Sequence, residues 1–145
     1  SFEELNEVIP LECGVTPNTT TKPKAPGMKY THYAPKAGMV LVVGETTGML
    51  SRIKHLAGKY SSEGINVGIM ATEQTKDSYG NEYCVFSMGN RDKPETIASR
   101  LFATLRSFDE TDVGIIISES LPEEGIGSAI MNRLKKAAGG NLDRV

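Results

Sequence analysis

The densest set of chemically capable side chains in this sequence lies in Ala25-Pro26-Gly27-Met28-Lys29-Tyr30-Thr31-His32-Tyr33-Ala34-Pro35, which packs two tyrosines, a histidine and a lysine between prolines. A tyrosine ring can stack on a base and use its hydroxyl at the rim, and a lysine can meet a phosphate. So many aromatics in an extended segment call for a surface to dock on. The residue types suit a clasp over a nucleotide and a clasp over a protein surface equally well.

Other candidates carry less chemistry. Gly44-Glu45-Thr46-Thr47-Gly48 follows an apolar run and precedes a helical pattern, the place where α/β folds often hold phosphate. It is neither a dinucleotide fingerprint nor a P-loop, and Glu45 would repel an anion, so an ordinary strand-to-helix turn is expected. Gly125-Ile126-Gly127-Ser128 opens another helical pattern, but Glu123 and Glu124 already complement that helix start. His55 falls on the outer face of a helical pattern with no second histidine or cysteine beside it. Cys84 reads as a small buried strand residue, and Glu12 denies Cys13 the cationic neighbours of a reactive thiol. Asp112, Glu119, Glu123 and Glu124 are expected together as a solvated rim near the carboxyl end of the fourth strand. No catalytic constellation is legible, and no cysteine or histidine pair has zinc spacing.

The elements that must position these residues follow from periodicity. Ser1 to Ile9 has a capping-box start and apolar residues at helical spacing, yet a helix of about nine residues is too short to hold by itself. Pro10 to Lys36 holds five of the chain's seven prolines and should be extended and irregular. From Gly38 the texture changes. Met39–Val43, Val67–Ala71, Tyr83–Met88 and Val113–Ser118 are short apolar runs of the kind buried on both sheet faces. Between and after them, Leu50, Ile53, Leu56, Ala57 and Tyr60, then Ile97, Leu101, Leu105 and Phe108, then Ile126, Ile130, Met131, Leu134 and Ala137 recur at helical spacing. Thr72 to Glu82 is polar and holds at most a helical turn. Strands alternating with amphipathic helices predict an α/β fold: a small Rossmann-like three-layer domain with a mostly parallel sheet, preceded by a proline-rich extended linker.

Composition agrees with a globular chain of 145 residues, with 39% hydrophobic and 23% charged residues. No apolar run reaches the roughly 18–20 residues that cross a bilayer, and Ser1 to Ile9 lacks the basic start of a secretory signal. With only two cysteines, a reduced cytoplasmic protein is expected. The net charge of -2 is unevenly spread. Glu3, Glu4, Glu7 and Glu12 make the first 20 residues purely acidic, whereas Lys22, Lys24, Lys29 and Lys36 make residues 21–36 purely basic. The linker therefore has its own electrostatic character.

The segment from Ala25 to Pro35 resembles the interdomain linker of long-form L-threonylcarbamoyladenylate synthases, whose pattern is similar to S/A-P-G-M-K-Y-x-H-Y-A-P. Thr31 stands where many relatives carry arginine. The stretch from Leu121 to Ala138, LPEEGIGSAIMNRLKKAA, looks like that family's C-terminal domain. The resemblance implies that residues 1–11 are the tail of an absent catalytic YrdC-like domain, 12–36 the interdomain linker and 37–145 a Rossmann-like accessory domain. It implies a parent nucleotidyltransferase of tRNA processing, which converts L-threonine, bicarbonate and ATP, with magnesium, to threonylcarbamoyl-AMP and pyrophosphate. Partner proteins would then build threonylcarbamoyladenosine in tRNA. By the same resemblance Tyr33 contacts the nucleotide, with Tyr30, Lys29 and His32 positioning the clasp, and the chain by itself is inactive. The alternative is a regulatory Rossmann-like module binding a small ligand or a protein; a nucleotide-binding enzyme standing alone is a third reading.

Overall fold

The computed structural model describes residues 35–145. Within them the chain runs β1 (Gly38–Val43), α1 (Thr46–Ser62), β2 (Val67–Ala71), a 3-10 turn (Lys76–Tyr79), β3 (Cys84–Ser87), α2 (Pro94–Asp109), β4 (Ile115–Ser118), α3 (Ile126–Ala137) and β5 (Leu142–Arg144). The strands form one sheet in the order β3-β2-β4-β1-β5, and every pairing is parallel.

Strand alternation divides the core between two faces. From β1, Met39 and Leu41 join Met70, Phe86 and Ile116 beneath α2 and α3, which contribute Ile97, Leu101, Leu105, Ile130 and Leu134. Val40 and Val42 point the other way, joining Ile69, Ala71 and Ile117 beneath Met49, Ile53 and Ala57 of α1. This is the three-layer arrangement that the alternating pattern predicts. Pro94 opens α2, where its missing N–H costs nothing. Gly68 is needed for close packing: a Cβ there would lie 2.7 Å from the Phe108 ring.

The order of strands creates the feature that matters for function. The loop after β4 leads toward α3 on one face, whereas those after its neighbours β1 and β2 lead to α1 and to Tyr79 on the other. Such a reversal opens a crevice at the carboxyl ends of the strands, the usual ligand position in open α/β sheets. Two local expectations are corrected here. Asp112 precedes β4 and lies at its amino end, so it does not join a rim with Glu119. Leu142–Arg144 adds a fifth strand, through pairs such as Val42 with Asp143, beyond the four apolar runs.

Candidate functional site

At the carboxyl end of β4 stands Glu119, which is 0% exposed. The expectation of a solvated carboxylate fails because the β2–β3 connection and the loop after β3 close over it. Thr72 Oγ1 and Arg91 Nη2 donate to Oε1 at 3.2 and 2.9 Å, and Thr75 Oγ1 and Tyr79 Oη donate to Oε2, each at 2.5 Å. Each carboxylate oxygen thus accepts two hydrogen bonds, which is how a buried charge escapes most of its desolvation cost. The loop after β2 and the following 3-10 turn supply the hydroxyls, and the loop between β3 and α2 supplies the guanidinium.

Five of the seven buried polar or charged residues among those described, Thr72, Thr75, Ser118, Glu119 and Ser120, gather at these strand ends. Tyr79 belongs to the same cluster. Burial, first, and then the adjacent Glu119 carboxylate push its hydroxyl well above the ordinary tyrosine range. The Arg91 side chain is 17% exposed and pairs with Glu119 through Nη2, while its buried Nε has no hydrogen-bond partner. Its loop is held to the β2 loop by Gln74: Gln74 Oε1 accepts from the Arg91 N–H at 2.9 Å, and Nε2 donates to Asn90 Oδ1 at 2.7 Å. Beside this knot, the Ser120 and Leu121 amides have the thioether sulfurs of Met49 and Met131 as acceptors at 3.3 and 3.4 Å. Sulfur is a weak acceptor, so these amides are only softly held.

The remaining candidates behave differently. The Gly44 turn is covered by Val145, whose amide donates to the Val43 carbonyl at 2.8 Å; a Cβ on Gly44 would lie 2.2 Å from Val145 Cγ2. Glu123 is exposed and meets Lys135 at 2.8 Å, Glu124 is exposed, and His55 is exposed on α1. Lys29, Tyr30, His32 and Tyr33 lie outside the described residues. Among the described residues, no group of three His, Cys, Asp or Glu side chains could hold a metal ion, and no helix is long and apolar enough to cross a membrane. Sequence reasoning placed Glu119 at the right strand end and missed its burial. Its donors come from positions 28 to 47 residues away, a separation that carries no periodic signal.

Comparison with known proteins adds to this geometry. Residues 1–139 match the family described as threonylcarbamoyl-AMP synthase, C-terminal domain. The chain is 49% identical over 123 residues to the Bacillus subtilis threonylcarbamoyl-AMP synthase, covering 85% of this chain and 34% of that protein. It is 39% identical to the Pyrococcus abyssi threonylcarbamoyl-AMP synthase, covering 99% of this chain and 41% of that one. The chain therefore spans about a third to two fifths of the length of these relatives. Among solved structures, P. abyssi Sua5 complexed with L-threonine superposes with a TM-score of 0.70 at 36% identity, covering 99% of this chain and 41% of that one. A P. abyssi Sua5 double variant, with an adjacent histidine and tyrosine replaced by alanine, gives 0.69 at 37% identity over 89% of this chain and 35% of that one. The C-terminal Sua5 domain from Pyrococcus horikoshii gives 0.62 at 30% identity over 77% of this chain and the whole of that one. Matched across nearly all of its length and sharing the parallel α/β sheet of these structures, the chain belongs to the family of threonylcarbamoyl-AMP synthase C-terminal domains.

Proposed function

We propose that the chain serves as the accessory domain and active-site-covering linker of a threonylcarbamoyl-AMP synthase. The parent enzyme would join L-threonine, bicarbonate and ATP into threonylcarbamoyl-AMP with release of pyrophosphate. The observation that carries this reading is the family match over residues 1–139, which takes in the Ala25–Pro35 segment as well as the described domain. Residues 1–11 would close the catalytic domain, 12–36 would cross its cavity and 37–145 would form the accessory body. Magnesium would arrive with the ATP phosphates. The product would pass to tRNA-modification proteins in the cytoplasm.

The linker's task would be to exclude water from a mixed carbamate anhydride that hydrolyses readily. Tyr33 would contact the nucleotide, with Tyr30, Lys29 and His32 positioning the clasp. The chain has one His-Tyr pair, His32-Tyr33, and an adjacent His-Tyr pair was the target in the P. abyssi double variant. That parallel supports the assignment. A tyrosine stacked on adenine contributes about 1–3 kcal/mol, by analogy with bases stacked on aromatics. Its loss would weaken ATP binding by roughly 5- to 150-fold. The test compares Tyr33→Ala and Tyr30→Ala in the full-length parent for ATP affinity and adenylate yield. Loss of both in Tyr33→Ala is expected; wild-type behaviour in both variants would reduce the linker to a tether.

A further inference from the structure

We propose that the crevice at the carboxyl ends of β2 and β4 is a ligand site for a primary ammonium or guanidinium cation, with Glu119 at its base and Arg91 standing in for the ligand. This goes beyond the linker's role and does not depend on it. The position is the one that the reversal of loop directions around β4 opens. Buried polar groups weaken a core unless they serve a specific purpose, and the described domain concentrates five of its seven at this one place.

The occupant's charge follows from the donor set. Thr72, Thr75 and Tyr79 neutralise no charge, so the Glu119 carboxylate keeps its need for a cation. Arg91 meets that need with one nitrogen, Nη2, and leaves the buried Nε beside it unpartnered. A guanidinium built into a permanent ion pair would use both N–H groups of that fork. Half-use marks a replaceable partner. Arg91 also comes from a tight turn, Asn90–Lys93, that buries no side chain and is closed by the Lys93 N–H donating to the Asn90 carbonyl at 2.9 Å. Polar bonds through Gln74 tie this turn to the β2 loop. Withdrawing it exposes little apolar surface. Polar side chains meet beside this turn, where Gln74 Nε2 donates to Asn90 Oδ1 at 2.7 Å and to Asp92 Oδ2 at 3.4 Å. The Ser120 and Leu121 amides, held only by the weakly accepting sulfurs of Met49 and Met131, leave the backbone after Glu119 softly held.

The experiment titrates the 145-residue chain with ethylammonium chloride and with guanidinium chloride at low millimolar concentration, following backbone amides by NMR, against sodium chloride and sodium acetate at equal ionic strength. Arg91→Ala empties the cation position and should bind both cations saturably, at least tenfold tighter than the unchanged chain, with shifts centred on Thr72, Thr75, Glu119 and Ser120. Adding Glu119→Gln to that variant should abolish the effect. Arg91→Gln, which retains a donor for Glu119 without the charge, serves as the second variant should Arg91→Ala not fold. A folded variant showing no saturable response to either cation overturns the proposal. So does a response to acetate alone, or shifts that survive Glu119→Gln.

Discussion

Replacing Glu119 by alanine should destabilise the domain by about 3–5 kcal/mol, the range for removing one partner of a buried, hydrogen-bonded ion pair. The structure places this change at the upper end of single-residue effects, because the carboxylate is fully buried and four donors lose their acceptor together. Thr72, Thr75 and Tyr79 would keep buried hydroxyls facing a void, whereas Arg91, nearer the surface, can turn to water. Glu119→Gln should cost less, about 1.5–3 kcal/mol, the worth of hydrogen bonds to a charged group. Its carbonyl oxygen still accepts two bonds, and the hydroxyls of Thr75 and Tyr79 can rotate to accept from the new amide. Urea unfolding followed by far-ultraviolet circular dichroism measures both variants. At a slope of about 1.5 kcal/mol/M, Glu119→Ala should lower the midpoint by about 2–3 M with the slope unchanged. A cost under about 1 kcal/mol, the ordinary result for a surface change, would mean that Glu119 is solvated and that the reasoning is wrong.

Tyr79→Phe should lose about 1 kcal/mol at neutral pH and should also flatten the alkaline stability profile. The Tyr79 hydroxyl is raised above its ordinary value of 10.0 in the folded chain, so above that pH the unfolded state releases a proton that the folded state keeps. Stability then falls with rising pH, by up to about 1.4 kcal/mol per unit from this group, and urea midpoints between pH 9 and 11 should separate the two proteins. Gly68→Ala would set its Cβ 2.7 Å from the Phe108 ring, which is buried and lies 4.6 Å from Phe86 between ring centres; a loss of about 1–3 kcal/mol in the same assay is expected, and a neutral result would show that the ring can yield. Gly127→Ala would bring a Cβ within 2.2 Å of the Pro122 carbonyl oxygen, so the start of α3 must shift; a fall in melting temperature checks this, with Gly58→Ala, where a Cβ meets open space, as the control.

By itself the sequence determined the layers of this protein. Apolar runs such as Met39–Val43 are readable because a strand buried on both faces needs no alternation, and the helices of Ile53 and Ala57 or Leu101 and Leu105 declare the faces they bury. Residue types also single out Ala25–Pro35, with His32 and Tyr33, as a segment that calls for a surface to dock on, and it lies outside the described residues. Tertiary structure decided the rest. β5 is three residues, Leu142–Arg144, two of them charged, and becomes a strand only through pairing with β1. Glu119 reads as a loop carboxylate after an isoleucine run, since nothing nearby in sequence can satisfy it. Its partners Thr72, Thr75, Tyr79 and Arg91 arrive because β4 inserts between β1 and β2, an order that no local pattern encodes. Propensity and periodicity act within a few residues of the chain, whereas the burial of a charge depends on which distant loops the sheet brings over it.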